Sequence, residues 1–273
     1  MALIDCKFFS ETLGMCSSMR VILPETTERR IGLVEPVAGA RASGDSGVNG
    51  GGQPAFRGHP TLFLLHGMGD DETVWTRSTN IERYAASLGL AVVMPNVHRS
   101  FYTNMVHGYR YWDFMSLELV DKARSFFPLS HAREDNFVAG NSMGGHGAFK
   151  LAMRMPETFG AAISLSGVLD VTEFREVRAL DYELIFGGRA AEPGSEDDLL
   201  YLAQLLSEYE GARPRFYQCC GTEDFLLGQN RRLRARMQSF TFDYSYDEGP
   251  GNHDWQYWDK QVQRALAWLA GNP

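Results

Sequence analysis

The sequence predicts an α/β fold, with a mostly parallel central sheet and helices on both faces. Short apolar runs recur along the chain, at residues 61–65, 90–94, 136–139, 161–165, 215–219 and 240–244. Stretches with helical spacing fall between them, at residues 79–88, 115–127, 143–154, 197–210, 228–238 and 255–270. Near-continuous apolar strands that alternate with helices are typical of a parallel sheet covered on both sides.

Other segments complete this prediction. Residues 3–9 and 15–23 alternate in polarity and lie close together, which predicts an antiparallel hairpin at the sheet edge. Residues 36–58 contain a glycine- and serine-rich stretch and predict a mobile surface loop. Residues 168–198 lack a clean periodicity and predict a small lid-like insertion over the carboxyl edge of the sheet, where ligands bind in open α/β folds. We therefore expect residues 1–273 to form one domain.

Composition excludes several classes of protein. The chain has 273 residues, of which 44% are hydrophobic and 22% charged, as in globular domains. A net charge of -8 argues against a nucleic-acid partner, because phosphates demand a basic surface. The sequence has no apolar run of roughly 18 residues, so we expect no membrane span.

The N-terminus bears on the cellular compartment, and the cysteine spacing bears on metal and redox sites. Residues 1–7 lack the basic segment and apolar stretch of a secretory leader, so we expect a cytoplasmic protein. The four cysteines, at positions 6, 16, 219 and 220, form no Cys-x-x-Cys pair, which excludes zinc-ribbon and thioredoxin-like sites. Cys219 and Cys220 end an apolar run and are expected to be buried thiols.

Residues 140–144, Gly-Asn-Ser-Met-Gly, match the G-x-S-x-G pattern of a serine nucleophile. The five residues alone are a weak signal, but they directly follow an apolar strand and lead into a helical stretch. A serine on such a strained turn needs small neighbours, and the helix N-terminus places free N–H groups beside it. We therefore predict Ser142 as a nucleophile.

A serine hydroxyl needs a base, and the base needs an orienting carboxylate. In nucleophile-elbow folds the chain order is serine, acid, histidine. Of the seven histidines only His146 and His253 follow Ser142, and His146 lies one helical turn away on the same helix. His253 is therefore the candidate base. Asp224 or Glu223, after the strand at 215–219, is the candidate acid, and we prefer Asp224. Asp247 and Asp170 lie near other strand ends but suit the triad order or the strand position less well.

The tetrahedral intermediate of acyl transfer requires hydrogen-bond donors aimed at its oxyanion. The backbone N–H of Met143, directly after the nucleophile, is one candidate. The glycine-rich turn at residues 66–71 follows a strand and offers the second, the N–H of Met68. His66 itself is expected to bond or pack behind that turn.

Several of these segments together resemble a known family. Residues 64–68, Trp75, residues 99–105, 140–145 and 253–255 are similar to the esterase D-like branch of the α/β hydrolases, and within it to bacterial tributyrin esterases. The resemblance spans residues 3–269. It implies a serine carboxylesterase of the α/β-hydrolase fold that cleaves short-chain acyl esters, from acetyl to butyryl, without a cofactor or metal.

The resemblance also implies roles for individual residues. It makes Ser142, Asp224 and His253 the catalytic triad, and it makes Met68 and Met143 the oxyanion donors. The expected partner is a small-molecule ester, with neither nucleic acid nor membrane. Members of the family often form homo-oligomers, and the sequence leaves the oligomeric state open.

Two related activities remain alternatives. S-formylglutathione hydrolases share the Ser-Met-Gly-Gly-His-Gly-Ala run at residues 142–148, but they usually carry a threonine- and cysteine-containing turn where this chain has residues 66–70. That departure weakens the thioesterase interpretation. A carbohydrate acetyl or feruloyl esterase is the other alternative, because the alcohol half of the substrate cannot be read from the sequence.

An aromatic cluster follows the strand at 90–94, formed by Phe101, Tyr102, Tyr109, Tyr111 and Trp112. Phe101, Tyr102 and Gly67 are candidate substrate-binding residues. For Tyr102, substrate contact by the hydroxyl and ordinary core packing are equally open, and core packing is favoured for the other aromatic residues.

The sequence also contains features of three other classes of protein. The Gly-Asp-Ser-Gly run at residues 44–47 is similar to the nucleophile of chymotrypsin-like proteases, but it lies in the predicted loop without a rigid surrounding. The chain has no His-Glu-x-x-His motif, and His98 and His107 do not share a helix face, which argues against a metal hydrolase. A binding module without catalysis is the third class, since a fold does not imply a function.

Overall fold

The computed structural model describes residues 1–25, 57–187 and 194–271. Its strands are β1 Ala2–Ser10, β2 Met15–Leu23, β3 Thr61–Leu65, β4 Ala91–Pro95, β5 Asn136–Asn141, β6 Ala161–Leu165, β7 Arg215–Gly221 and β8 Tyr244–Gly249. Its α-helices are α1 Val74–Ser78, α2 Ile81–Ala86, α3 Tyr111–Asp113, α4 Val120–Phe126, α5 Met143–Arg154, α6 Val171–Val177, α7 Ala179–Phe186, α8 Leu199–Glu208, α9 Leu227–Gln238 and α10 Trp255–Leu269. A π-helix, Phe114–Leu119, joins α3 to α4, and a 3₁₀ turn, Arg133–Asp135, precedes β5.

The strands of the described residues form one sheet in the order β1-β2-β4-β3-β5-β6-β7-β8. The hairpin β1–β2 pairs antiparallel, and β2 pairs antiparallel with β4. All other neighbours are parallel. The predicted α/β class and the edge hairpin are therefore confirmed.

Both faces of the sheet are covered, because alternate residues of the inner strands are buried on opposite sides. One core contains Phe63 and Val138 of the sheet packed against residues of α5, α8 and α9. The other contains Leu62 and Ile163, packed against α1, α2 and α10. Strands β3 to β8 run parallel, so their carboxyl ends lie at one edge of the sheet. The loops that follow these strands can meet there.

Some sequence-based bounds were wrong. The apolar run at 240–244 does not form the last strand: Phe240 and Phe242 pack against the core from the segment before it, and the strand begins only at Tyr244. The predicted helix at 79–88 is shorter, and the one at 115–127 starts as a π-helix.

Two other predictions concern segments that the structure describes only in part. Within residues 168–198, helices α6 and α7 lie between β6 and α8, and residues 188–193 lie outside the described residues. The loop predicted at 36–58 and the Gly-Asp-Ser-Gly run within it also lie outside the described residues, except for positions 57 and 58. No helix in the described part of the chain is long and apolar enough to cross a bilayer.

Candidate active site

Ser142 occupies the turn between β5 and α5, with φ 53° and ψ -118°. A non-glycine residue with positive φ is strained and persists only where its surroundings hold it. Here the Ser142 N–H donates to the carbonyl of Leu165 at 3.0 Å, and its carbonyl accepts from the N–H of Val168 at 3.0 Å. The end of β6 and the segment after it therefore fix the backbone on both sides of the serine.

Glycines allow this turn to pack closely. A Cβ added at Gly144 would lie 2.5 Å from the carbonyl oxygen of Leu65 at the end of β3. At Gly140, a Cβ would clash with the backbone of Gly144 itself. The glycines of the pattern around Ser142 are required because β3, β5 and the first turn of α5 lie in backbone contact and leave no space for a side chain.

His253 lies in the short loop between β8 and α10. Its Nε2 is 3.0 Å from Oγ of Ser142, although the two residues are 111 positions apart in the chain. The next residue, Asp254, accepts a hydrogen bond from the N–H of Tyr257 and so caps the start of α10. The cap fixes where the helix begins and holds the loop that carries His253.

Asp224, in the turn after β7, is the acid that meets the histidine. Its carboxylate accepts from Nδ1 of His253 at 2.9 Å and from the N–H of Leu226 at 2.8 Å. Only 4% of Asp224 is exposed. Glu223 is exposed and binds the N–H of Gly251 instead, at 2.6 Å, so it ties the two loops together.

These contacts define the roles of the two imidazole nitrogens. A carboxylate can only accept, so the Nδ1 that faces Asp224 carries the proton of the neutral ring. The remaining nitrogen, Nε2, then has a free lone pair directed at the Ser142 hydroxyl. The arrangement can remove a proton from Ser142 while Asp224 stabilises the resulting imidazolium.

The turn after β3 lies against the serine. The position of a Cβ at Gly67 is 3.6 Å from Cβ of Ser142, so this glycine lies beside the serine, and Met68 follows it in the same turn. Met143 directly follows the serine and begins α5, and N–H groups in a first helical turn have no acceptor within the helix. The N–H groups of Met68 and Met143 therefore stay the predicted oxyanion donors.

Side chains hold this turn from behind. Trp75 donates its indole N–H to the carbonyl of Leu65 at 3.0 Å, and Tyr102 donates its hydroxyl to the carbonyl of His66 at 2.8 Å. The His66 ring bonds the carbonyl of Gly67 and the N–H of Val97, as expected for a structural residue. Three rings thus position the backbone that carries Met68.

The structure corrects the prediction for the aromatic cluster. Tyr102 and Phe101 are fully buried, so neither side chain is open to a substrate. Burial raises the pKa of Tyr102, which keeps its hydroxyl protonated as the donor to His66. Phe101 packs against Phe174 of α6. Tyr109, for which core packing was favoured, is exposed instead.

His146, the other histidine after Ser142, is fully buried in α5 and does not take part in the triad. Its Nδ1 bonds the carbonyl of Val168 at 3.1 Å, and burial lowers its pKa. Nearby, Lys150 of α5 forms a buried ion pair with Asp197 and a hydrogen bond to Thr103. Burial opposes ionisation of Asp197, but Lys150 still holds its pKa below the usual range. These groups tie the segment before α8 to the serine helix.

The sequence analysis missed two rings that contact His253. The ring of Phe225 lies 4.7 Å from the imidazole, centroid to centroid, and that of Trp258 lies 4.8 Å from it. Phe225 directly follows the candidate acid, which is the signal that could have found it. Trp258 follows His253 by five residues on the apolar face of α10, and that position alone predicts only core packing.

No group of three or more potential metal ligands occurs among residues 1–25, 57–187 and 194–271. The chemistry carried by the described site is therefore that of the hydroxyl, the imidazole and the carboxylate. A serine on a strained strand-to-helix turn, an imidazole and a buried acid at the carboxyl edge of a mostly parallel sheet define a serine hydrolase of the α/β-hydrolase fold.

Comparison with known proteins gives the family. Residues 52–269 match the family described as "Putative esterase", and the chain belongs to this esterase family. An acetyl esterase from Caldicellulosiruptor saccharolyticus is 31% identical over 220 residues, covering 77% of this chain and 83% of that protein. The protein is accordingly a carboxylic ester hydrolase, and the resemblance to the esterase D-like family is confirmed.

Solved structures agree in fold. The substrate-bound structure of FphF, fluorophosphonate-binding serine hydrolase F of Staphylococcus aureus, has a TM-score of 0.83 and 35% identity, and covers 98% of both chains. An S-formylglutathione hydrolase, FrmB, from the same organism has a TM-score of 0.80 and 34% identity over 98% of both chains. The α/β-hydrolase fold therefore extends over nearly the whole sequence.

Proposed function

We propose that this protein hydrolyses short-chain acyl esters, from acetyl to butyryl, through an acyl-enzyme intermediate on Ser142. The observation that supports this most is the unbroken hydrogen-bonded chain from Asp224 through His253 to Ser142. These hydrogen bonds connect three loops at one edge of the sheet. They end at the hydroxyl of Ser142, a residue whose backbone is held in a strained conformation. Such an arrangement is costly to build and serves nucleophilic catalysis.

Acylation begins when Oγ of Ser142 attacks the ester carbonyl and Nε2 of His253 takes the hydroxyl proton. The carbonyl π electrons move onto oxygen, and the backbone N–H groups of Met68 and Met143 stabilise this oxyanion. When the intermediate collapses, the bond to the alcohol breaks, and the imidazolium returns its proton to the departing oxygen. The acyl group remains on Ser142.

Deacylation repeats the sequence with water. His253 takes a proton from water as the water oxygen attacks the acyl carbon, and the same two N–H groups again bind the oxyanion. The bond to Oγ then breaks, Ser142 recovers its proton from His253, and the carboxylic acid leaves. Since the imidazole must be neutral to act as the base, activity should fall in acid.

Two observations support a short acyl chain. The described insertion after β6 contributes only the short helices α6 and α7, of 7 and 8 residues, rather than a large cap domain. The similar protein from Caldicellulosiruptor saccharolyticus is an acetyl esterase. A thioesterase acting on S-formylglutathione is the second candidate, favoured by the 34% identity to the Staphylococcus aureus FrmB structure. Carbohydrate acetyl and feruloyl esters remain further alternatives.

A cytoplasmic setting is part of the proposal. All four cysteines, Cys6, Cys16, Cys219 and Cys220, are free thiols, and Cys219 and Cys220 are buried side by side in β7. Free thiols persist in a reducing compartment, which supports this location.

Turnover of p-nitrophenyl acetate by Ser142→Ala tests the proposal. We expect kcat to fall by about three orders of magnitude or more, because the nucleophile is removed while the fold is kept. Ser125→Ala, which changes an exposed serine on α4, is the matched control and should retain wild-type activity. Equal activity in Ser142→Ala and the control would contradict the proposal.

The same assay resolves the substrate class. The wild-type enzyme is compared on p-nitrophenyl acetate, butyrate and decanoate, on S-formylglutathione and on an acetylated sugar. The proposal expects the highest kcat/KM on the short p-nitrophenyl esters. A maximum on decanoate would refute the short acyl preference, and a maximum on the thioester would favour the second candidate.

A further inference from the structure

Phe225 is a water-facing aromatic residue at the edge of the site. It is 73% exposed, in the turn between β7 and α9. A single exposed apolar side chain is ordinary on a protein surface. The position of Phe225 is unusual, because its ring lies 4.7 Å from the ring of His253, centroid to centroid, at an interplanar angle of 52°.

The two aromatic neighbours of His253 differ in what they can contact. Trp258 meets the imidazole edge-on, is only 6% exposed, and packs into the core with Tyr257 and Val262 of the same helix. It can support the ring of His253 but has little surface left for a ligand. Phe225 touches the same imidazole and leaves most of its surface free. A ligand at the site can therefore bury Phe225.

Phe225 is held in place by its neighbours. Before it, Asp224 is bound to His253 and to the N–H of Leu226. After it, Leu226 is buried in the core. The backbone on both sides of the phenyl ring is therefore fixed before a substrate arrives. Such preorganisation lowers the entropy cost of binding.

The chemistry of the proposed reaction says which half of the substrate meets this ring. During acylation, Nε2 of His253 returns its proton to the oxygen of the departing alcohol, which must come within about 3 Å of that nitrogen. The oxyanion lies elsewhere, at the N–H groups of Met68 and Met143. A group attached to the departing oxygen therefore emerges beside the imidazole, where the exposed ring of Phe225 lies.

We propose that Phe225 forms the alcohol subsite and selects esters whose alcohol carries a flat apolar face, such as an aryl ring. This inference rests on the proposed function, because it takes His253 as the group that protonates the alcohol. An aromatic ring in the alcohol can pack against Phe225 in an offset or edge-on geometry. A small alkyl alcohol offers no flat apolar face to pack against it.

The test compares benzyl acetate with ethyl acetate in the wild type and in Phe225→Ala. Both esters have alcohols of similar basicity and form the same acetyl-enzyme, so deacylation is common to them. We expect Phe225→Ala to lower kcat/KM about tenfold for benzyl acetate, as for the loss of one aromatic contact, and less than twofold for ethyl acetate. Phe225→Trp should retain the preference for the benzyl ester.

Leu117→Ala is the matched control, since Leu117 is a similarly exposed apolar residue, at 70%, on the π-helix outside the site. This substitution should leave kcat/KM unchanged for both esters. An equal fall in kcat/KM for both esters in Phe225→Ala, with an altered pH profile, would mean that the ring only shields His253. That result would overturn the alcohol subsite but not the proposed function. Unchanged kcat/KM for both esters in Phe225→Ala would also overturn the subsite. A wild-type protein that cleaves neither ester would overturn the proposed function together with the subsite.

Discussion

At the scale of single residues, His66 shows how the site is supported from behind. Its Nε2 lies 3.1 Å from the N–H of Val97, and its Nδ1 lies 2.8 Å from the carbonyl of Gly67. A backbone N–H can only donate, so Nε2 is the acceptor and Nδ1 carries the proton of a neutral ring. Burial lowers the pKa of His66 to about 4. Protonation would also place an N–H against that of Val97.

This residue predicts a loss of stability in acid. Because the folded-state pKa of His66 lies below its ordinary value, the folded protein binds fewer protons than the unfolded chain between these two values. The contribution of His66 to the free energy of unfolding is complete above about pH 6.5. It falls by about 3 kcal/mol as the pH decreases from there to about 4. Urea unfolding at several pH values measures it.

The variant His66→Gln separates this effect from general acid denaturation. Glutamine supplies an acceptor without a titrating ring, so we expect a shallower fall in unfolding free energy between pH 6.5 and 4 than in the wild type. His131→Gln, which changes an exposed histidine, should keep the wild-type slope. Identical slopes for all three proteins would contradict this assignment to His66.

The sequence predicted residue types better than side-chain environments. The pattern at residues 140–144 indicates Ser142, chain order indicates His253, and the structure brings Oγ of the serine and Nε2 of the histidine to 3.0 Å. For the acid, the sequence favours Asp224 but leaves Glu223 open, because the choice depends on which carboxylate the turn after β7 directs inward. Tyr102 was left open between substrate and core for the same reason: its hydroxyl partner is a backbone carbonyl 36 residues away.

At the scale of elements, the strand–turn–helix around Ser142 was the most predictable part of the molecule. Its glycines mark a turn in any fold, and the apolar run at 136–139 lies within β5, which ends at Asn141. The last strand was less predictable, since Phe240 and Phe242 of the apolar run at 240–244 pack against the core before the strand begins. The chain instead pairs through Tyr244–Gly249, whose residues are all partly exposed, as at a sheet edge.

The close approach of these elements predicts the effect of a methyl group. Gly144→Ala would push a Cβ to 2.5 Å from the carbonyl oxygen of Leu65, which is backbone and cannot easily move. We expect a loss of stability of about 1–3 kcal/mol, as in overpacked cores, together with lower kcat, because β3 carries the turn with Met68. Thermal unfolding and esterase kinetics measure the two effects.

Gly249→Ala is the comparison for this variant. Gly249 ends β8 without a positive φ, and a Cβ there would meet nothing within 4 Å. The substitution should therefore leave stability within about 0.5 kcal/mol of the wild type. If Gly144→Ala were equally neutral, the close packing of β3 against α5 would not be what requires glycine at position 144.

At the scale of the whole molecule, the sheet brings together residues that are far apart in the chain. Ser142, Asp224 and His253 follow β5, β7 and β8, three strands that run in the same direction. Their carboxyl ends meet at one edge, and this edge holds the site. The class of fold therefore predicted where the site would lie. It could not predict Phe225, because exposure beside His253 depends on the detailed path of one turn.

Covalent labelling with a fluorophosphonate, followed by mass spectrometry of the peptides, tests the central claim most directly. The hydroxyl oxygen of an activated serine attacks phosphorus as His253 takes the hydroxyl proton, the P–F bond breaks, and fluoride leaves. The phosphonyl group stays on the serine oxygen, so each protein molecule should gain one adduct, located on Ser142. His253→Ala should slow the labelling, and Ser142→Ala should abolish it. An adduct on another serine, or undiminished labelling of Ser142→Ala, would contradict the account.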